Sequence, residues 1–573
     1  MGQLELLSAL IPTQNLMKKK QATTPVCFRA MLIALLVSPF ANPLASLAIT
    51  GGALLAQESD RTNTQTEVKP EQVPLTKPTT PVSKPSLKPS LKPSLKPSSN
   101  PSAAIELVEQ ANKLREQNQL SEAVKLYQQA IELNPEFVPA HYGLGVTLRQ
   151  QGDLAGAISS HRRAIELDKT YMPAYYGLGI ALYKQGDMSG SVGAYTQVIA
   201  LSPVGNNLAP TYYNLGLAEE GRNNLKAAAA AFQQAIKLDK NYALAYNGLG
   251  SILRRQGNLL GAIAAYRKTT SLASNYATAH YSLGIALYEM RDYSSAIDSY
   301  KRSIEIDPKL PNAHYNLGIA LTAKGDLAEA ATVYRQATVV DPKNAEAYAA
   351  LGNALLQQEK IAEAVTAFSR STEINPKSAN AQMGLGLALR RQGDLPGAIS
   401  SYNNAIKLSP KFAAAYNNLG KALADQNKPV EAIASFRKAV EFDSTNSVAF
   451  SNLGNLLQVQ GDSSGAVLAL NKAIALSKDE LWSDYTSLGL ALADQGNLKA
   501  AMAAYNKAIS IKPDFARAHF SLGALYTLQR DVNNAIRSYK EALRLYEVEK
   551  SPEWVQRTKQ ALQSLQGITQ SKQ

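Results

Sequence analysis

Residues 145 to 179 read GVTLRQQGDLAGAISSHRRAIELDKTYMPAYYGLG, and most of the chain repeats this pattern. Twelve units begin with a glycine that corresponds to Gly145, and one earlier unit has Ala111 at that position, so there are thirteen units. Self-similarity at such a short fixed period is typical of a solenoid, in which each unit packs on its neighbours. The glycine returns about every 34 residues, at Gly145, Gly179, Gly216, Gly250, Gly284, Gly318, Gly352, Gly386, Gly420, Gly454, Gly489 and Gly523.

Each unit is predicted to form two helices, because apolar residues recur three, four or seven positions apart in each half. Twelve residues after the glycine stands an alanine, replaced once by Ser191, and sixteen residues after it stands a bulky ring in most units, such as Tyr195 or Phe232. Gly-Asp or Gly-Asn separates the halves, as at Gly152-Asp153. This pair predicts a left-handed glycine at the end of the first helix and a side-chain cap on the second.

From about Ala104 to Glu549 these columns resemble the tetratricopeptide repeat, with Tyr or His where that family usually has tryptophan. The resemblance implies an all-α, right-handed superhelical solenoid of about 13 helix pairs, with an inner groove formed by the first helices. Residues 550–573 are predicted to form a C-terminal capping helix and tail. The cap is expected to cover the open face of the last repeat with Trp554, Ala561, Leu562 and Leu565.

Residues 1–56 are predicted to be a signal peptide or a membrane anchor. A lysine cluster at positions 18–20 precedes an apolar run from Ala30 to Val37. Pro39 and Pro43 favour a cleaved signal over a retained spanning helix, and both alternatives stay open, as does a start at residue 17 instead of residue 1. The repeats are therefore expected to be exported to the periplasm or cell envelope, or to be held there by the anchor. Membrane contact is expected through the N-terminus only.

Residues 57–103 form a Lys-, Pro- and Ser-rich segment that is predicted to be a disordered linker. Nine prolines lie between positions 70 and 101, so the segment has too little apolar surface to fold and is expected to act as a spacer. The formal net charge of the whole chain is +13.

The side chains indicate binding and not catalysis. A single cysteine, Cys27, excludes a disulfide framework and a cysteine-based metal site. Histidines stand a repeat apart in one column or, at His161, in the ring column, so we interpret them as packing residues. No nucleotide-binding loop or activated nucleophile is found. We therefore predict no enzymatic activity, no cofactor, no metal site and no small-molecule substrate. The column of four histidines holds His141, His280, His314 and His519.

Candidate binding residues lie on the predicted first helices. The position three residues before the glycine is mostly Tyr in the first half of the chain, and asparagines cluster on the same helices in the second half. Tyr offers a broad contact surface, and Asn both donates to and accepts from a peptide backbone. The asparagine cluster resembles the ladder in the superhelical arm of O-linked N-acetylglucosamine transferases, over the repeat arm only. The predicted partner-binding residues are Tyr142, Tyr176, Tyr213, Tyr281, Tyr315, Asn353, Arg390, Asn417, Asn418, Lys421, Asn452 and Asn455.

These features predict a protein-binding scaffold that holds an extended polypeptide in the groove. The basic residues beside the columns predict an acidic partner. One alternative is a substrate-recruiting accessory subunit of a separate glycosyltransferase or other envelope enzyme. Another is a polysaccharide or nucleic-acid binder, which the sequence pI of 9.3 permits, although no recognised nucleic-acid module is present.

Overall fold

The structure, a computed structural model, describes residues 101–202, 208–477 and 481–570. The predicted signal or anchor and nearly all of the predicted linker lie outside the described residues. Helix α1 begins at Pro101, within the last three residues of the predicted linker segment, and proline is well suited to a first helical turn because the amide that it lacks has no partner there.

The described residues contain 27 helices and no strand. The helices are α1 (Pro101–Glu116), α2 (Leu120–Leu133), α3 (Val138–Gln151), α4 (Leu154–Leu167), α5 (Met172–Gln185), α6 (Met188–Leu201), α7 (Ala209–Gly221), α8 (Leu225–Leu238), α9 (Ala243–Arg255), α10 (Leu259–Leu272), α11 (Ala277–Glu289), α12 (Tyr293–Ile306), α13 (Ala313–Lys324), α14 (Leu327–Val340), α15 (Ala345–Gln357), α16 (Ile361–Ile374), α17 (Ala379–Gln392), α18 (Leu395–Leu408), α19 (Ala413–Asp425), α20 (Pro429–Phe442), α21 (Ser447–Val459), α22 (Ser463–Leu476), α23 (Trp482–Asp494), α24 (Leu498–Ile511), α25 (Ala516–Leu528), α26 (Val532–Val548) and α27 (Pro552–Gln570).

Helices α1 to α26 are alternately the first and second helix of the thirteen predicted repeats. They divide into two compact units, an N-terminal unit that ends at residue 359 and a C-terminal unit that begins at residue 360. Within each unit the second helix of one repeat packs on the first helix of the next. The all-α repeat solenoid predicted from the sequence is therefore confirmed.

The glycine and ring columns hold the two helices of a repeat together. A Cβ atom added to Gly179 would lie 2.6 Å from a ring carbon of Tyr195, and one added to Gly386 would lie 2.6 Å from a ring carbon of Tyr402. Both rings are buried. The missing side chain thus lets the ring of the second helix lie against the backbone of the first, and apolar burial of this kind is the main stabilising contribution.

The turns inside the repeats follow the predicted pattern. Gly152 has φ 90°, and the side chain of Asp153 accepts a hydrogen bond from the backbone N–H of Gly156 at 2.9 Å. Asp326 departs from it, because its carboxylate lies 3.1 Å from the Lys324 ammonium and makes no cap hydrogen bond. Where the glycine is missing, other residues adopt the same left-handed backbone conformation. These are Asn118, Asn223, Arg291, Glu359, Asn427 and Arg530.

Helix α27 caps the last repeat, as predicted. Its buried Leu562 and Leu565 share a core cluster with α25 and α26, and the ring of Trp554 packs against it. Trp554 stacks on Tyr546 with ring centroids 5.4 Å apart and meets Phe520 edge-on at 5.4 Å. The apolar end of the stack is covered in this way. None of the helices in the described residues is both long and apolar enough to cross a lipid bilayer.

Candidate functional site

The first helices form the inner layer of each unit. In the N-terminal unit α3 contacts α5 and α5 contacts α7, and in the C-terminal unit α21 contacts α23 and α23 contacts α25. Consecutive second helices of the described chain do not pack on one another to a similar extent. We call the side of the first helices that points away from the second helices the inner face. All twelve predicted binding residues belong to first helices.

The tyrosine column lies partly beneath the inner face. Each ring packs on the ring of its own second helix, with centroids 5.7 to 6.1 Å apart. Tyr281 is buried, and burial raises the pKa of Tyr281 and of Tyr315 to about 12. The column therefore has a packing function in addition to any contact with a partner. Its half-buried members are Tyr142, Tyr176, Tyr213 and Tyr315.

Amides join two of these tyrosines to the following repeat. Asn214 Nδ2 donates to the Tyr176 hydroxyl at 2.9 Å, and Asn316 Nδ2 donates to the Tyr281 hydroxyl at 2.8 Å. Each asparagine stands two residues before the glycine of its repeat. Because the bond crosses from one repeat to the next, it sets their spacing as well as orienting the ring.

The asparagines of the C-terminal unit form the same kind of contact. Asn452 Nδ2 donates to Asn417 Oδ1 at 2.8 Å, and Asn417 is buried. Asn455 donates to the Ser451 hydroxyl at 3.3 Å, and that hydroxyl donates to the buried carboxylate of Asp484 at 2.7 Å. Burial raises the pKa of Asp484. Asn417 and Asn452 are thus paired with each other, and Asn455 belongs to a separate chain of hydrogen bonds that ends at Asp484.

Asn353 and Asn418 differ from the other asparagines. Both are half-buried on first helices, and neither makes a hydrogen bond or ion pair with the described residues. An amide carries one acceptor and two donors, so each of these side chains can bind the backbone of a ligand without breaking an internal contact.

The arginines near the inner face are largely neutralised by the adjacent repeat. Arg390 Nε lies 2.7 Å from Asp425, and Arg254 lies 2.8 Å from Glu289. In both pairs the arginine stands four residues after the glycine of one repeat and the acid stands five residues after the next glycine. Sequence reasoning missed these pairs, although a spacing of 35 residues between opposite charges is a readable signal in a 34-residue repeat.

Arg149 and Lys421 have no such partner in the described residues. The position that would supply an acid to Arg149 holds Lys184, and the Nε atom of Arg149 is buried without a hydrogen bond. Lys421 is half-buried and makes no ion pair with the described residues, and burial together with the nearby Arg390 lowers its pKa.

Two histidines of the repeat column contact the loop that precedes their own helix. His141 Nε2 lies 2.9 Å from the carbonyl oxygen of Pro135, and His519 Nε2 lies 2.8 Å from that of Pro513. In the described part of the chain, no group of three or more His, Cys, Asp or Glu side chains is arranged to hold a metal ion. His161 is fully buried beneath Gly145 and Gly177, and neither ring nitrogen has a hydrogen-bond partner.

We expect the His161 repeat to lose stability in mild acid. Burial, with a smaller contribution from Arg149, lowers the pKa of His161 from 6.5 to about 4. Between these values the unfolded chain binds a proton that the folded repeat does not, so the free energy of unfolding falls as the pH falls below 6.5 and stops falling below about 4. At about 1.4 kcal/mol per pKa unit the loss is on the order of 3 kcal/mol.

Hydrogen exchange of α3 to α5 at pH 7 and pH 5 measures the larger part of this loss, since pH 5 lies between the two pKa values. The His161→Phe variant fits the ring column and is the control, because it should remove the acid sensitivity of that region. An equal acid response in the variant would contradict the assignment to His161.

Comparisons with known families agree with this architecture. The profile of the C-terminal domain of cilia and flagella-associated protein 70 matches residues 215–453. Tetratricopeptide repeat profiles match residues 111–148, 145–186, 489–530, 518–553 and 173–203. The chain is a tetratricopeptide repeat protein. A comparison with curated proteins finds no significant match.

Several solved structures of this repeat class are similar to the chain. The anaphase-promoting-complex heterotetramer Cut9-Hcn1 is 17% identical, with 81% of this chain and 96% of that chain covered and a TM-score of 0.38. YrrB, described as a TPR protein with an unusual peptide-binding site, is 26% identical over 33% of this chain and 96% of its own, with a TM-score of 0.31. MamA is 34% identical over 29% of this chain and 96% of its own, with a TM-score of 0.28.

Proposed function

We propose that this tetratricopeptide repeat protein is a non-catalytic scaffold that binds an extended polypeptide along the inner face. The fold is that of a protein-interaction scaffold, which supports the general function. The observation that carries the finer proposal is a half-buried amide on the inner face of each unit, Asn353 in the N-terminal unit and Asn418 in the C-terminal unit, whose side chain has no hydrogen-bond partner in the described residues. Amides of this kind suit the backbone of an extended chain, because they satisfy donors and acceptors that recur along it.

Fewer basic residues are available to an acidic partner than the sequence suggested. Arg254 and Arg390 already pair with Glu289 and Asp425, so their contribution to binding an acidic segment is reduced. Arg149 and Lys421 have no such partner in the described residues and therefore supply positive charge that a ligand can use. Charges of this kind raise the rate of association and make binding weaken as salt is added.

The test begins with affinity capture by the full chain and mapping of the shortest captured segment that binds. We expect Asn353→Ala with Asn418→Ala to weaken that segment at least about tenfold, since each loses bonds to the ligand backbone. Neither substitution removes an internal bond, so circular dichroism should be unchanged. Asn403→Ala with Asn404→Ala on the exposed surface of α18 is the matched control. Equal affinity of both double variants for the segment would contradict the proposal.

The tyrosine column contributes through its rings. Replacing Tyr176, Tyr281 and Tyr315 with alanine is expected to weaken binding, with any hot-spot position contributing on the order of 2 kcal/mol. These rings also pack inside their repeats, so the corresponding phenylalanine variants, which keep the rings, are measured beside them. If the alanine variant folds normally and binds as tightly as the phenylalanine variant, the rings do not contact the partner.

We also propose that the repeats lie outside the cytoplasmic membrane. The proposal is supported by the basic and apolar start of the chain and by the proline-rich segment that follows it. Cell fractionation with N-terminal sequencing is the test. A cytosolic product that retains the residues preceding the apolar run would overturn this location.

A further inference from the structure

A cleft opens on the inner face at the C-terminal end of the repeats. It lies between α23 and α25, and Trp554 of the capping helix forms part of its wall. Most of its lining is apolar, including Leu490, Phe520 and Leu528. These three residues occupy the same positions relative to their repeat glycines as the polar binding residues of earlier repeats, or positions adjoining them on the same face. The inner face is therefore apolar at these positions of the last two repeats.

One side chain in this cleft carries a charge. Arg517 lines the cleft, is half-buried, and makes no ion pair or hydrogen bond with the described residues. Burial lowers its pKa, and the groups that counteract this effect are the phenols of Tyr546 and Tyr505, not a carboxylate. A guanidinium withdrawn from water without a counter-ion is destabilising, and an anion placed beside it recovers part of that free energy.

We propose that the open mouth of this cleft binds an apolar side chain followed by a Glu or Asp whose carboxylate pairs with Arg517. The inference rests on the proposed function, since the residues would belong to the extended polypeptide on the inner face. The apolar side chain would lie against Ala524, Leu528 and Trp554, which are the accessible apolar members of the lining. The planar guanidinium can hold a carboxylate through two parallel hydrogen bonds.

The lining favours a carboxylate over a phosphate group. Arg517 is the one cationic side chain among the cleft residues of the described chain, so the cleft neutralises a single negative charge. A phosphate dianion would leave a second charge uncompensated beside the apolar walls. A carboxylate matches the guanidinium of Arg517, and an apolar side chain matches the apolar lining of the cleft.

The experiment uses the full chain and short peptides with acetylated and amidated ends. The probes are Gly-Ser-Leu-Glu-Ser-Gly, its Leu-Gln counterpart and a Ser-Glu counterpart that lacks the apolar side chain. Ligand-observed NMR titration should give the Leu-Glu peptide about tenfold tighter binding than either counterpart, as expected for a charge-assisted pair in a partly desolvated site. A further peptide ends in Leu and keeps its free C-terminal carboxylate. It tests whether Arg517 pairs with a chain terminus instead of with a Glu side chain.

Arg517→Gln should reduce the preference for Glu over Gln to below about twofold, the effect of losing one charged hydrogen-bonded pair. Arg537→Gln, on the exposed surface of the second helix α26, is the matched control and should keep the preference. Ala524→Leu narrows the cleft while leaving Arg517 in place, and should weaken the Leu-Glu and Leu-Gln peptides equally. Circular dichroism of each variant confirms that it is folded.

Three outcomes would overturn the inference: no preference for Glu in the parent chain, a preference that survives Arg517→Gln, or tighter binding of the free-carboxylate peptide than of the Leu-Glu peptide. Any of them leaves the proposed function standing if Asn353→Ala with Asn418→Ala still weakens the captured segment. Conversely, the asparagine substitutions could leave binding of the captured segment unchanged while Arg517→Gln still removes the preference for Glu. That result would contradict the proposed function and not the pairing of Arg517 with a carboxylate.

Discussion

Tyr402→Ala is expected to lower the local free energy of unfolding of α17 and α18 by about 4 kcal/mol, the range seen for deletion of a large buried ring. The ring is 0% exposed and lies against Gly386, and the glycine has no side chain that could fill the space left behind. Because neighbouring repeats open separately in a solenoid, hydrogen exchange resolved by helix is the suitable measurement. Protection should fall most in the peptides that span these two helices.

Tyr402→Phe is the control for the same site. The Tyr402 hydroxyl is buried and has no hydrogen-bond partner. Removing it eliminates an unsatisfied polar group, so the phenylalanine variant should be as stable as the parent or more stable by roughly 1 kcal/mol. A phenylalanine variant as unstable as the alanine variant would show that the ring volume is not what stabilises this repeat.

Gly179→Ala should destabilise its repeat although alanine is the better helix former. Helix propensity alone favours alanine by about 1 kcal/mol. At Gly179, however, the new Cβ would lie 2.6 Å from a ring carbon of the buried Tyr195, so the ring or the helix must shift. Overpacking of this kind costs about 1 to 3 kcal/mol, which exceeds the gain from propensity.

Gly193 supplies the matched control within the same repeat. It lies inside helix α6, is exposed, and has open space where a Cβ would be added. Gly193→Ala should therefore stabilise the repeat by up to about 1 kcal/mol. Thermal unfolding of the two variants beside the parent gives the signs. If both substitutions shift the midpoint in the same direction, close helix packing at Gly179 is not the reason for the glycine.

Much of the fold was predictable because a repeat is decided by short-range rules applied many times. The helix pairs follow from apolar spacing, and the left-handed residue at Gly152 and the cap at Asp153 follow from local backbone chemistry. Asp326 shows the limit of local rules. A lysine two residues earlier, Lys324, competes for its carboxylate, and the cap hydrogen bond is not formed.

The candidate site was predictable as a set of positions and not as a set of contacts. The position three residues before each repeat glycine placed Tyr176 and Asn417 on the first helices, and the structure confirms this. It did not show that the Tyr176 hydroxyl accepts from Asn214 of the next repeat, or that Asn452 donates to Asn417. Such bonds depend on the offset between consecutive repeats, which a period of 34 residues does not specify to within a hydrogen-bond length.

The sequence by itself determined the repeat architecture, the two-helix unit, the capping helix and the absence of recognisable catalytic motifs, because each depends on residue type and spacing along the chain. Only the tertiary structure decided which polar groups remain available to a ligand. Arg390 is neutralised by Asp425 thirty-five residues away, whereas Arg517, an equally ordinary arginine in the sequence, stands unpaired in an apolar cleft. Hydrogen bonding and charge act through distance in space, and that distance is set by how one repeat packs on the next.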